Sequence, residues 1–216
     1  MTQIEDLTIV GNVLQTIVNK HYKSHTNFNF KVIKMTRKYI YQVLLTFLLI
    51  GFQGISFASS NIFELNATNI DGDEISLKQF QGKVLLVVNT ASRCGFTPQY
   101  KSLEQVFNKY REQGFVVLAF PSNDFRQELS SNKEIKDFCE GYQISFPIFA
   151  EGTVKGFGKQ DVFKYLTEDV NGRSKGEIRW NFEKFLVNRE GKLFKRFRSS
   201  LDPNQKQITQ AIESLL

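Results

Sequence analysis

Three consecutive segments, Lys83-Val-Leu-Leu-Val-Val-Asn89, Tyr100 to Gln113 and Phe115-Val-Val-Leu-Ala-Phe120, set the architecture of this chain. The first is an unbroken apolar run of strand length, which suits a central strand buried on both faces. The second has Leu103, Val106, Phe107 and Tyr110 at helical spacing and ends before Gly114. The third is a second buried strand, stopped by Pro121. A strand, a helix and a strand in that order predict neighbouring parallel strands.

On the amino-terminal side, Phe63-Glu-Leu65-Asn-Ala67 and Glu74-Ile75-Ser-Leu77 alternate around Asp71-Gly72. That pattern predicts a hairpin with a tight turn. On the carboxyl side, Ser131-Asn-Lys-Glu134 is a capping box that opens a helix through about Glu140. Asp161 to Leu166 reads as a short helix. Phe182 to Asn188 and Leu193 to Phe197 flank Arg189-Glu-Gly191 as an antiparallel hairpin, and Asp202-Pro203 opens a last helix running to Leu216. The order resembles a thioredoxin-like fold: an α/β domain with a central mixed sheet flanked by helices and an N-terminal β-hairpin extension.

The chain has 216 residues, 41% of them hydrophobic and 13% aromatic, enough for one packed core plus an appendage. Its net charge of +6 is concentrated at the start. Residues 59–216 hold 22 Lys/Arg against 20 Asp/Glu, a balanced surface that gives no reason to expect nucleic acid as a partner. Both histidines, His21 and His25, precede that region. Their placement removes Ser-His and Cys-His nucleophile pairs and His-ligated zinc from the globular part. The only cysteines, Cys94 and Cys139, are too few for a four-thiolate metal site. No metal or other cofactor is expected.

Lys34-Met35-Thr-Arg37-Lys38 is followed by an apolar run from Tyr39 to Ile55 and then by Ser56-Phe57-Ala58-Ser59. A cationic start, an apolar middle and small residues at a cleavage position are those of a signal peptide at 35–58, cut after Ala58. Export to a periplasm or cell exterior is therefore expected, with no stable membrane insertion after cleavage; the alternative is an uncleaved anchor. Residues 1–34 read as an upstream extension from a mis-chosen start, with a genuine long leader as the other reading. Residues 59–216 form the domain.

Cys94 lies five residues after Asn89, at the carboxyl end of the first buried strand and just before the helix near Tyr100. Reaction sites in open parallel sheets sit at that edge. A thiol there meets unpaired N–H groups and the positive end of the helix dipole, and the thiolate is the nucleophilic form. A buried structural cysteine is the competing reading of the position alone.

Three blocks extend the reading: Asn89-Thr-Ala-Ser-Arg-Cys94-Gly-Phe-Thr-Pro-Gln-Tyr100, Leu118-Ala-Phe-Pro-Ser-Asn-Asp-Phe125 with Gln127-Glu128, and Ile178-Arg-Trp180-Asn181-Phe-Glu-Lys-Phe-Leu-Val187. In this order they resemble the glutathione peroxidase family, over about Asn61 to Leu216. The resemblance implies a reactive cysteine at Cys94, with Gln127, Trp180 and Asn181 as its partners. Neutral N–H donors of this kind suit a domain without histidine, since they favour a charged sulfur. The chain departs from the family at Ser122-Asn-Asp124-Phe, where Cys-Asn-Gln-Phe is usual. It departs again at Arg126-Gln127-Glu128-Leu129-Ser130, which is one residue shorter than Gly-x-Gln-Glu-Pro-Gly. Asp124 is not expected to replace Gln127, because a carboxylate beside a thiolate works against it.

Cys139, in the second helix, matches the resolving cysteine of the family's thioredoxin-using, cysteine-type members. The implied function is a thiol peroxidase acting on hydrogen peroxide or organic hydroperoxides through a Cys94 sulfenic acid and a Cys94–Cys139 disulfide. A thioredoxin-like dithiol protein or glutathione would regenerate it. A helical Cys139 is not expected within disulfide reach of Cys94, so the helix would have to unwind. The alternative function is a peroxide-sensing redox relay using the same two cysteines. A Cys-x-x-Cys reductase is excluded by Thr97, and copper delivery by the absence of histidine. The segment from Phe149 to Glu177 lacks the long insertion of family tetramers, so a monomer is expected.

Overall fold

The computed structural model describes residues 61–168 and 175–216. The expected extension at 1–34 and the signal peptide at 35–58 lie outside the described residues. The elements are β1 (Asn66–Thr68), β2 (Glu74–Ser76), β3 (Val84–Thr90), α1 (Gln99–Tyr110), β4 (Phe115–Pro121) and α2 (Asn132–Gly141). They are followed by α3 (Asp161–Thr167), β5 (Lys184–Val187), β6 (Leu193–Phe197) and α4 (Lys206–Glu213). The main sheet has the order β4-β3-β5-β6. β3 and β4 run parallel in register from Val84↔Phe115 to Thr90↔Pro121, and the β3–β5 and β5–β6 pairs are antiparallel. This is the mixed sheet of a thioredoxin-like fold.

β3 is buried along its whole length because helices cover both faces. Val84, Leu86 and Val88 pack with Leu103 and Val106 of α1, Ile135 of α2, and Ile208 and Ile212 of α4. Leu85 and Val87 face Phe163 and Leu166 of α3, with Ile62, Leu77 and Phe80 from the N-terminal segment. The period-2 alternation of a strand thus serves two apolar clusters, and the sequence shows it as an unbroken run.

The N-terminal hairpin forms, but through a five-residue loop rather than a tight turn. Asn69 Oδ1 accepts from the Asp71 and Asp73 N–H groups (3.0 and 2.8 Å), and Gly72 takes a φ of +95°. Residues 147–150 tie this hairpin to the sheet. Phe149 N donates to Ala119 O (2.9 Å) on the outer edge of β4, and Ala150 N donates to Thr68 O (2.9 Å). The capping box holds: Ser131 Oγ accepts from Glu134 N (3.3 Å), while Glu134 Oε2 reaches back to Ser130 N (3.0 Å).

Two boundaries differ from expectation. The last helix begins at Lys206, because Asp202 accepts from Asn204 N through its side chain and from Gln205 N through its carbonyl, closing a separate turn. β5 starts only at Lys184, because Phe182 sits in the left-handed region at φ +63°.

Inside β5 the Lys184 side chain is fully buried without a carboxylate partner. Its Nζ donates to Gln99 Oε1 and to the carbonyls of Ser199 (3.1 Å) and Leu201 (2.7 Å). Burial pushes the amine down to about 7. The unfolded chain keeps the same amine charged to about 10.4, so between these values it binds more protons than the folded chain. Stability contributed at this site therefore rises with pH across that window, by up to roughly 1.4 kcal/mol per pH unit. Urea midpoints measured from about pH 7 to about pH 8.5 should rise in the parent relative to Lys184→Met, a comparison in which the cysteine ionisation common to both proteins cancels. Parallel profiles in the two proteins would show that Lys184 stays charged.

Candidate active site

Two loops at the carboxyl ends of β3 and β4, and a third segment leading into β5, are joined by hydrogen bonds next to Cys94, through Arg93, Gln127 and Asn181. The first runs from Ala91 to Pro98. Cys94 is 7% exposed, its N–H donates to Thr97 Oγ1 (2.9 Å), and Thr97 Oγ1 donates in turn to Ala91 O (2.8 Å). Thr97, which in a disulfide reductase would be the second cysteine, here closes the loop. α1 begins only at Gln99, so the thiol does not sit directly on the helix end. Its nearest backbone donor is Phe96 N–H, at 3.4 Å from Sγ.

The second loop, 122–130, carries Gln127. Its shortened sequence still brings Gln127 beside the cysteine loop, because Arg93 N donates to Gln127 O (2.8 Å). The Glu128 carboxylate accepts from Ser92 N (3.0 Å) and Leu129 N (2.8 Å) through Oε1. Glu128 is 6% exposed, and burial raises its pKa above the usual carboxylate value. Arg126, immediately before Gln127, has a φ of +57°. Asp124, the departure noted in the sequence, faces away from this cluster: its Oδ2 accepts from Val154 N (2.7 Å) and Lys155 N (3.0 Å), pinning the neighbouring loop.

The third segment carries Trp180 and Asn181. Asn181 Nδ2 donates to Gln127 Oε1 (3.0 Å). That bond occupies the acceptor end of Gln127, so its amide nitrogen is the end left to donate. Asn181 is fully buried, whereas Trp180 is 41% exposed. The indole leans on Phe125 with ring centroids 5.2 Å apart, and the Lys155 ammonium lies 4.2 Å over the other ring. Trp180 is therefore not a core aromatic; it lies at the surface beside the Asn181–Gln127 pair.

What holds this third segment is Asn89, the penultimate residue of β3. Its Nδ2 donates to Trp180 O (3.1 Å), its Oδ1 accepts from Glu183 N (3.0 Å), and its backbone O accepts from Phe182 N (2.6 Å). Glu183 adds a buried ionic anchor. Its carboxylate pairs with Arg196 Nε (2.7 Å) and Arg198 Nη1 (2.9 Å) and accepts from Arg179 N (2.7 Å). Arg196 also donates to the Gly176 and Glu177 carbonyls (2.6 and 2.8 Å).

Sequence reasoning named Cys94, Gln127, Trp180 and Asn181, but assigned no part to Asn89, Thr97, Glu128 or Glu183. The available signal was polarity in the wrong place: an Asn closing an apolar strand, and a Glu-Lys pair inside the run from Phe182 to Val187.

Cys139 is 1% exposed, in the last turn of α2, and both cysteines are free thiols. Burial pushes the Cys139 thiol up to about 11. Among the described residues no group of three His, Cys, Asp or Glu side chains is arranged to hold a metal ion.

A thioredoxin-like sheet with a buried cysteine in the loop at its carboxyl edge, and no second cysteine in that loop, defines a thiol-based redox fold. Residues 62–167 match the glutathione peroxidase family model. The chain is 44% identical over 167 residues to a hydroperoxy fatty acid reductase from Synechocystis sp., covering 74% of this chain and 98% of that protein. It is 42% identical over 159 residues to a glutathione peroxidase-like peroxiredoxin from Schizosaccharomyces pombe, covering 73% and 99%. The crystal structure of Trgpx in apo form is similar, with a TM-score of 0.59 and 34% identity over 73% of this chain and 95% of that one. The chain belongs to the glutathione peroxidase family and is an oxidoreductase of the peroxidase class.

Asn89→Ala should orphan Trp180 O and the buried Glu183 N–H, at about 1–3 kcal/mol for each group. Chemical denaturation should show a stability loss in that range. The emission of Trp180, the only tryptophan in the chain, should shift as its segment loosens. An unchanged spectrum and midpoint would show that the two side-chain hydrogen bonds of Asn89 are not what holds the segment.

Proposed function

We propose that the protein reduces hydrogen peroxide or organic hydroperoxides at Cys94. The Cys94 thiolate attacks one peroxide oxygen, the O–O bond breaks, and the other oxygen leaves as water or alcohol, so that Cys94 becomes a sulfenic acid. The observation that carries this reading is the Asn181–Gln127 hydrogen bond beside the cysteine loop (3.0 Å). It leaves the Gln127 amide N–H groups to stabilise the charged sulfur and the developing charge on the departing oxygen. Trp180, at the surface beside this pair, contributes a donor-only indole N–H.

Cys139 then condenses with the sulfenic acid, and a thioredoxin-like dithiol protein or glutathione reduces the disulfide by exchange. Two buried free thiols on different elements support this order, since α2 must open before Cys139 can reach Cys94. The reading extends to the cell: the protein is exported by the segment 35–58, matures at Ser59, and works as a monomer. Mass measurement of the mature N-terminus and light scattering test these last points.

Intact mass after one equivalent of peroxide tests the chemistry. The parent should end as an intramolecular disulfide. Cys139→Ser should stop at a Cys94 sulfenic acid or its overoxidised products, and Cys94→Ser should not react. A Cys139→Ser protein that still consumes peroxide at the parent rate with thioredoxin would remove Cys139 from the cycle. Faster turnover of the parent with glutathione than with thioredoxin would reverse the order of reductants.

A further inference from the structure

The two ends of α2 are held very differently. At the amino end the capping box closes on Glu134, Asn132 Oδ1 accepts from Glu151 N (2.9 Å), and Lys136 Nζ bonds Asp71 Oδ1 (2.6 Å). Ile135 is fully buried there, in the core. The carboxyl end lacks comparable support. Its last turn carries no basic side chain, and Glu140 stands at the negative end of the helix dipole. Gly141, the last helical residue, is a weak helix former. Two residues on, Gln143 holds a φ of +57°, a left-handed conformation disfavoured for a residue with a side chain.

Cys139 sits in that weak turn. Its carbonyl accepts from both Tyr142 N (3.1 Å) and Ile144 N (3.1 Å), so bonds that close the helix converge on this cysteine. One side chain then ties the turn to a neighbouring helix. Glu104 of α1 accepts from Ser145 N through Oε2 (2.9 Å) and from Ser145 Oγ through Oε1 (2.5 Å). Asn108 Nδ2, one turn further along α1, donates to the same Oε1 (2.7 Å) and orients the carboxylate. Among the described residues, the hydrogen bonds that join residues 140–145 to another element are these two to Glu104. Tyr142 adds ring contacts to Phe138 and Tyr100 while staying exposed. Glu104 lines an open groove with Lys101, Asn108, Tyr142 and Gln143, where water competes for the carboxylate.

We propose that Glu104 is a positioning residue for the second half of the cycle: its grip on Ser145 keeps the carboxyl end of α2 shut, and release of that grip frees Cys139. The inference rests on the reading of Cys139 as the resolving cysteine. α2 then opens from its carboxyl end, while the capping box and the Lys136–Asp71 pair keep the amino end in place. Closed, the turn holds Cys139 at 1% exposure, away from outside oxidants and thiols. Open, it carries the same cysteine out toward Cys94. Helix ends with exposed bonds open far more readily than core strands, so a single contact there weighs heavily in the rate.

Glu104→Ala removes both bonds. Alkylation of Cys139 by iodoacetamide, read by intact mass in the full-chain Cys94→Ser protein, should run roughly tenfold faster once Glu104→Ala is added. In the protein with both cysteines, rapid-quench mass should show the sulfenic form turning to disulfide faster by a similar factor. Consumption of the reduced form by peroxide should keep the parent rate. Gly141→Ala works in the other direction: a Cβ there meets nothing within 4 Å, and alanine strengthens the helix end. It should raise the melting temperature and slow both alkylation and the disulfide step by roughly threefold. A glutamate of purely structural use would lower the melting temperature and leave the disulfide rate where it was. Should Glu104→Ala fail to fold, Ser145→Ala deletes one of the two donors and decides, with an expected acceleration of roughly threefold. Alkylation within about twofold of the parent rate in the folded latch variant overturns the proposal alone. A parent that forms no disulfide with peroxide overturns it together with the resolving role of Cys139, whatever the alkylation rates.

Discussion

One carboxamide, that of Asn89, sets where the peroxidase site can be. It sits fully buried near the end of β3, with helices on both faces of its strand. From there the Asn89 side chain holds the Trp180 carbonyl and the Glu183 N–H, while its backbone carbonyl accepts from the Phe182 N–H between them. Those contacts force Phe182 into the left-handed region, a conformation costing about 1–2 kcal/mol for a residue with a side chain. The turn then presents Asn181 inward to Gln127 and leaves Trp180 at the surface. The rigidity of the site is therefore borrowed from the most buried strand of the sheet.

The same logic recurs on the other side of Cys94. Arg126, directly before Gln127, is the second left-handed residue of the site, and the backbone there is held by bonds from Arg93 N to Gln127 O and from Ser92 N to Glu128. Strained backbone persists where surrounding bonds over-determine it, and here both strained residues adjoin a carboxamide of the site. Glu183 with Arg196 is a desolvated ion pair in the same role, with the half-exposed Arg198 added at its edge. Removing one partner of such a cluster costs about 3–5 kcal/mol, far more than a surface pair provides.

Much of this was legible in the residues. The apolar runs of β3 and β4 and the period of α1 are each strong local signals, and they point to the parallel β3–β4 pair that the sheet contains. Cys94, Gln127, Trp180 and Asn181 were recognisable from their motifs. The shortened loop could not show that Gln127 stays in place, since that depends on Arg93 N–H, a backbone group without a sequence signature. Nor could spacing show that Asp202 closes a turn of its own, or that Asn69 governs a five-residue loop, because both outcomes hang on which local hydrogen bond wins. Asn89 and Glu183 escaped for a related reason: their partners are backbone groups and arginines distant along the chain.

Stopped-flow emission from Trp180 on mixing the reduced protein with excess peroxide reports on Cys94 through the segment that Asn89 holds. A Cys94-centred peroxidase predicts an emission change whose rate rises in proportion to peroxide concentration and which vanishes in Cys94→Ser. No emission change in the parent, or the same change in Cys94→Ser, would contradict a peroxide-reducing cysteine at this site.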